Sequence, residues 1–481
     1  MILSFLVITI FYNTIYYLFV DCKDGYKLKP GFKIFFLILF ILCVLLNSNK
    51  AFGADSKGSK LKEPNDRLQY VDFDFFNRFN DELLLQYIIA GISHNHNLKA
   101  LRLKINEMRQ VKNMEISKEF PSLSVGANYL GLKIPHFAFP YQGFRDNAFA
   151  LPFITHWEID LFGKRKNKIE MKREDLNASI YEEKGAVVAL AAEIAGVYFN
   201  IANLDEQINI QNRIIENKKD KLKRAQKRFD NGVLGKIELN NAKKEVYLEK
   251  IVLNDYKKRR ETFLSNLAYL TGEAPNGEYE IRNINNIEYS GKIPDSIASD
   301  AVLSRPDLLQ KEANLKKAKI DVLLARKEFL PNINVFGILM FSTLTPNFLW
   351  KGAVANLVAG ATEKIFTGGE RIFNIKHKKY EYERVLNEYL DTDLKALKEV
   401  NDALYNLKTD DETYRMNLEN LGFEENNFVR ISNSYKSGVK NRVDVLDKEN
   451  SFLYEKSTTL NSKVQKFVDL ISLYKALGGC L

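Results

Sequence analysis

The chain has 481 residues, 46% apolar and 27% charged, which excludes a disordered chain. Its net charge of +9 comes from 70 basic against 61 acidic residues, an excess too small to make nucleic acid the expected partner. The cysteines, Cys22, Cys43 and Cys480, fit neither a disulfide framework nor a cysteine metal site.

Two apolar runs open the chain, Met1 to Val20 and Ile34 to Leu46. Lys27, Lys29 and Lys33 precede the second run, and the small residues Ala51 and Gly53 follow it. That pattern predicts an export signal cut before Ala54. The run is too short to span a bilayer comfortably as a helix. The first run reads as an upstream extension, with the working signal starting near Tyr26; a second membrane segment is the other reading. Leu42, directly before Cys43, is bulky where a lipid-attachment site needs a small residue. Removal of residues 1–53 leaves Cys480 alone, which suits an oxidising compartment.

The rest of the chain is an internal repeat. Asn97-Leu98 through Phe120-Pro121-Ser122-Leu123-Ser124-Val125 recurs about 210 residues later as Asp307-Leu308 through Leu330-Pro331-Asn332-Ile333-Asn334-Val335. Phe229-Asp-Asn-Gly232-Val233 matches Tyr435-Lys-Ser-Gly438-Val439, and Gly272 matches Gly478. Residues 1–53 are thus read as a targeting region, 54–278 as the first repeat, 279–300 as a linker and 301–479 as the second repeat.

In chain order, each repeat predicts a helix, two alternating stretches and a long helical hairpin. The first helix is His96–Glu119. Leu123, Val125, Ala127 and Tyr129 then alternate with polar or small residues. After a loop at Leu132–Asn147, so do Phe149, Leu151, Phe153, Trp157, Ile159 and Leu161. No proline interrupts the chain from Pro152 to Pro275, as a long helix requires. Leu190, Ile194, Val197, Ile201, Leu204, Ile208 and Ile215 form a heptad-like stripe, interrupted by Gln211. A helix from Lys164 to Phe229 would be about 99 Å long. It turns at Gly232 and returns over Lys236–Leu270. The return is shorter, and His96–Glu119 stacked end to end supplies the missing length. In the second repeat the corresponding segments are Pro306–Phe329, a weaker alternation at Ile333, Val335, Leu339 and Phe341, a loop at Leu344–Lys351, and Ala353–Phe366. The long helix Glu370–Lys436 and the return Asn441–Ala476 follow. Its stripe is Leu397, Val400, Leu404, Leu407, Tyr414, Leu418, Leu421 and Phe428, interrupted at Asp411.

Ten-residue segments with one apolar face are the pattern of membrane β-strands. Four of them cannot close a barrel, and an open edge in lipid leaves backbone groups unsatisfied. Three chains supply twelve. The fold class expected is therefore mainly α with a small β part: a trimer with one shared twelve-stranded barrel above a long helical tube.

Trp157-Glu-Ile-Asp160-Leu-Phe-Gly163, Ile365-Phe-Thr-Gly368-Gly369-Glu-Arg371, Arg305-Pro306-Asp307-Leu308 and Tyr474-Lys-Ala-Leu477-Gly478-Gly479 occur in this order. Together with the repeat, they resemble the TolC-like outer-membrane efflux factors, in the NodT-like branch that serves drug-efflux pumps. The resemblance covers about Leu61 to Gly479. It implies a homotrimeric duct through the outer membrane of a Gram-negative bacterium, extending into the periplasm and in contact with outer-membrane lipid. The duct carries out no chemistry and needs no cofactor. A periplasmic adaptor and an inner-membrane pump would be its partners, with small molecules as cargo. An exit duct for proteins or peptides is one alternative, and a membrane-anchored coiled-coil protein another.

The same resemblance implies roles at the hairpin tips. Asp444 and Asp447, three residues apart on one helix face, would line the periplasmic entrance as a selectivity ring. Tyr435 and Lys440 fall at the resting-state latch, where the family usually has arginine at the second position; Arg442 is the substitute. Gly232, Val233, Leu234, Gly438 and Val439 would form the adaptor-docking tips. Against an enzyme, no P-loop follows Gly368-Gly369 and no nucleophile elbow occurs. His94, His96, His136, His156 and His377 complete no metal-ligand set. Lys164-Arg165-Lys166 reads as a solvated helix start at the barrel's periplasmic rim.

Overall fold

The computed structural model describes residues 65–134, 144–275, 277–294, 296–297, 302–343 and 353–480. The signal region, Cys43, His136 and the outer parts of both loops lie outside them. The elements below belong to one compact unit, Arg67–Leu481. They are α1 (Phe73–Asn77), α2 (Glu82–His94), α3 (His96–Ser117), β1 (Ser122–Val125), β2 (Asn128–Ile134), β3 (Phe144–Ile159), α4 (Lys164–Asp230), α5 (Lys236–Thr271), α6 (Pro306–Lys327), β4 (Asn332–Thr343), β5 (Ala353–Thr362), α7 (Glu370–Lys436) and α8 (Arg442–Ala476). Helix ends fall within a few residues of those expected.

The sheet is antiparallel, with β1 and β2 both on β3, then β4, then β5. β1 and β2 are one strand in register: Val125 faces Phe153 and Asn128 faces Ala150. The pairing lapses opposite Pro152, which has no N–H to give, although Gly126 N still donates to Pro152 O at 2.9 Å. Register places the expected apolar residues on one face, with Phe153 beside Val125 and Leu339, Trp157 beside Val335, and Ile159 beside Ile333. The opposite face is polar at one end, with Ser122, Ser124, His156, Glu158 and Asn334, but carries Ile154, Phe336, Ile338 and Met340 nearer the middle. Two expectations need correction. Backbone pairing of β2 with β3 runs on to Ile134 and Phe144, inside the stretch read as a loop. β5 stops at Thr362, opposite Asn332, because β4 is preceded by Pro331 and offers no further partner. Ile365 and Phe366 therefore lie beyond the strand, 99% and 89% exposed.

The helices repeat the order of the strands. α4 touches α3 and α5 on one side and α6 and α8 on the other, and α7 touches α6 and α8. The layer thus reads α3 with α5, then α4, then α6 with α8, then α7. This follows from connectivity: α3 leads into β1, β3 into α4, α6 into β4, and β5 into α7. Both long helices have 67 residues, about 100 Å at 1.5 Å per residue.

The short helices stack end to end at two equivalent joints. At the first, the Asn95 side chain caps α3 and donates to Leu270 O of α5 at 3.0 Å. Gly272 sits there at φ 77°, where a Cβ would lie 2.9 Å from His94 O. At the second, Arg305 Nη1 donates to Ala476 O of α8 at 2.8 Å. Gly478 sits there at φ 71°, where a Cβ would lie 3.1 Å from Arg305 Cα. The sequence repeat thus preserves a backbone-to-backbone approach that only glycine permits.

The core lies beside these joints. Phe75, Phe76 and Phe79 of the N-terminal segment wedge against Phe199 of α4 and Phe467 and Tyr474 of α8, all buried. Phe75 stacks on Tyr474 with centroids 4.6 Å apart. The inter-repeat stretch is bound to this core: Ile284 and Ile287 are buried, and Lys463 Nζ donates to Ile284 O at 3.0 Å.

Candidate functional site at the hairpin tips

Two turns end the hairpins. In the first, Gly232 N donates to Phe229 O at 2.9 Å and Val233 N to Arg228 O at 2.8 Å. In the second, Gly438 N donates to Tyr435 O at 3.0 Å and Val439 N to Ser434 O at 2.9 Å. Both are Schellman ends with the glycine left-handed, at φ 72° and 77°. Val233 and Val439 are exposed, Leu234 half-buried. Each tip therefore presents one bare valine on a rigid turn.

The return helices start differently. Gly235 caps α5 without a side-chain bond. Asn441 caps α8 in a capping box: its side chain accepts from Asp444 N at 2.9 Å, while Asp444 Oδ2 accepts from Asn441 N at 3.2 Å. One oxygen of Asp444 is therefore committed to the helix start. Asp447 lies one turn on, its side chain 53% exposed, with Oδ1 2.6 Å from Lys221 Nζ of α4. Arg442 Nε lies 3.6 Å from Asp220 Oδ2, also on α4. The two α4–α8 pairs have opposite polarity and bind the second hairpin to the first just above its tip. Tyr435 and Lys440 are exposed.

Further from the tip the same seam is polar and better buried. Arg213 Nε meets Glu449 at 2.7 Å, and this hydrogen bond raises the guanidinium pKa above its ordinary value. Asn217 Nδ2 donates to Asn450 Oδ1 at 3.0 Å, and Gln207 Nε2 to Ser457 O at 3.0 Å. Sequence reasoning missed Asp220, Lys221 and this ladder. Its only signal was the end of the α4 apolar stripe near Ile215: Asn217 is the last buried residue of α4, while Gln207 and Arg213 lie between the apolar positions of the stripe itself. The two stripe interruptions are cross-links. Gln211 donates to Glu249 Oε2 of α5 at 2.7 Å, and Asp411 is held by Lys466 of α8 at 2.5 Å and Arg415 at 2.7 Å.

Residues 91–273 and 297–479 each match the profile of the outer membrane efflux protein family. The probable outer membrane lipoprotein SilC of Salmonella typhimurium is 25% identical over 423 residues, covering 85% of this chain and 88% of its own. The cation efflux system protein CusC of Escherichia coli is 24% identical over 413 residues, covering 83% and 87%. The crystal structure of the Campylobacter jejuni CmeC outer membrane channel superposes with a TM-score of 0.77 at 23% identity, over 85% of this chain and 88% of that one. With two copies of the family's unit joined into one helical layer under one sheet, the chain belongs to the outer membrane efflux protein family: it is an outer-membrane efflux channel protein, not an enzyme.

Proposed function

We propose that three copies of this chain close a shared twelve-stranded barrel and a helical tube about 100 Å long, forming the passive exit duct of a tripartite pump for small molecules. The observation that carries this reading is the matching pair of open edges. Among the described residues, β1 with β2 at one end of the sheet and β5 at the other each pair on one side only. Below them the outer helices carry uncovered apolar side chains: Leu103, Met114, Tyr247 and Ile251 on α3 and α5, and Phe373, Tyr380, Tyr405 and Phe423 on α7. Open strand edges in lipid and apolar stripes in water both demand a partner, and a second copy supplies the complementary edge. An anchored coiled coil would leave the sheet unexplained.

The tips are the proposed docking points for a periplasmic adaptor, through Val233, Leu234 and Val439 on the turns of Gly232 and Gly438. An inner-membrane pump would supply the energy. Asp447, with the free oxygen of Asp444, would ring the entrance. Lys221–Asp447 and Arg442–Asp220 would serve as ties within a copy, leaving Tyr435 and Lys440 for a neighbouring copy. Small-molecule cargo agrees with relatives named as antibiotic, toluene and cation efflux proteins.

The test is single-channel conductance in a planar bilayer, using protein without residues 1–53. A cation-selective pore, blocked by trivalent cations in the parent but not in Asp444→Asn/Asp447→Asn, is expected. A pore whose selectivity and block ignore the double substitution would rule out the acid ring. Trimeric protein that never conducts, even with Lys221→Gln and Arg442→Gln, would rule out the duct.

A further inference from the structure

Midway along the second hairpin, two carboxyl groups, Asp410 on α7 and Asp469 on α8, come together, and among the described residues neither is in an ion pair with a lysine or arginine. Asp469 of α8 is only 6% exposed. Its Oδ1 accepts from Gln465 Nε2 at 3.1 Å, but its Oδ2 is buried without any hydrogen-bond donor. Among the described residues, the charged group that bears on it is the carboxyl of Asp410 on α7, close enough to share a hydrogen bond once one of the two holds a proton. Two ionised carboxylates are both acceptors and cannot bond each other. One proton turns one of them into a donor and satisfies the orphan oxygen.

The nearby cations are engaged elsewhere. Lys466, one turn before Asp469, has its Nζ 2.5 Å from Asp411 Oδ1. Lys463 Nζ is on Ile284 O at 3.0 Å. Arg415 is on Asp411 at 2.7 Å. Lys408 and Lys292 line the cleft beside the neighbouring Asp411, and Glu288 bears on Tyr414 and Lys463; among the described residues, Asp410 and Gln465 are the groups that bear on Asp469 itself. We propose that Asp410 and Asp469 form a proton-binding site that clasps α7 to α8, so that the wall hairpin tightens when the site is protonated and loosens when it is not. Burial, together with the hydrogen bond and charge of Asp410, pushes the Asp469 carboxyl up to about 7. The site lies 28 residues before Gly438, about 42 Å from the tip along α7. Proton occupancy would therefore set the rigidity of the hairpin that carries the tip.

The direction follows from linkage. Between the usual aspartate range and the raised value, the closed hairpin holds a proton that the opened hairpin releases. Opening therefore becomes easier as pH rises from about 4 to about 7, by up to about tenfold per pH unit, and then levels off. The test is hydrogen exchange of the whole protein from pH 4.5 to 8.5, corrected for the intrinsic rate and read in peptides from 403–414 and 463–473. Parent protein should show the slope and plateau in those peptides. Asp469→Asn, which cannot ionise, should lose the slope there and be protected at least tenfold more at pH 8. Asp410→Asn, which gives Asp469 a permanent amide donor, should do the same. As a second readout, infrared spectra of the parent at pH 5.5 should contain a protonated-carboxyl band that is absent from Asp469→Asn. A parent without the local slope, or a slope that survives both substitutions, would overturn the proposal.

Discussion

α4 and α7 have the same length, the same place in the repeat and similar heptad stripes, yet they live in different surroundings. α4 runs between α3 and α5 on one side and α6 and α8 on the other. Val187, Ala191, Ile194, Tyr198 and Ile201 are consequently buried, and its middle is apolar enough to cross a membrane while lying inside the protein. α7 occupies the edge of the layer. Val400, Ala403 and Leu407 are buried against its neighbours, whereas Leu394, Tyr405 and Phe423 face outward. A duplicated sequence thus need not give duplicated environments. In the duct proposed above, a second copy would give α7 what α4 receives from its own chain.

The largest expected effect lies in α4. Ile194→Ala, at a fully buried site whose side chain approaches Gly91, should destabilise the chain by about 2–5 kcal/mol in denaturant unfolding. An equal loss from Leu394→Ala on α7 in separated chains would erase the distinction. Next is the second joint. Gly478→Ala combines a left-handed backbone with a close backbone neighbour and should cost about 1–3 kcal/mol. Thermal melts should rank it with Gly272→Ala, because the joints are equivalent; a neutral result at either would break that equivalence. Asp447→Asn should change stability by under about 1 kcal/mol, since the Lys221 pair is half in solvent. Conductance should register the change even where melting does not. Smallest of all for the separated chain is Tyr405→Ala, about 0.5 kcal/mol or less, although the assembled particle should dissociate at lower detergent concentration.

Much of this organisation was legible in the sequence because it rests on local rules. Proline-free runs with apolar steps of three and four residues give the long helices, Gly232 and Gly438 give their turns, and the match of Gly272 to Gly478 marks both joints. Other features depend on partners far along the chain. Nothing near Asn128 reveals that Pro152 will interrupt its strand. The aromatic wedge of Phe75, Phe76 and Phe79 is a short segment without a period of its own. At the tips, Asp444 and Asp447 were readable as neighbours on one face, but the capping box on Asp444 and the Lys221 pair on Asp447 differentiate them. Both Asp411 and Asp469 look like ordinary polar positions of a helix; only the antiparallel approach of α8 to α7 shows that Lys466 neutralises the first and that Asp410 confronts the second.

The proposed duct requires that further copies close the open edges of the layer. Native mass spectrometry of the detergent-solubilised protein, released from the micelle without boiling, tests this most directly. Three chains per particle, falling toward single chains when Tyr405→Ala and Phe423→Ala are combined on α7, is the predicted result. A parent that is monomeric while folded and membrane-embedded would contradict it.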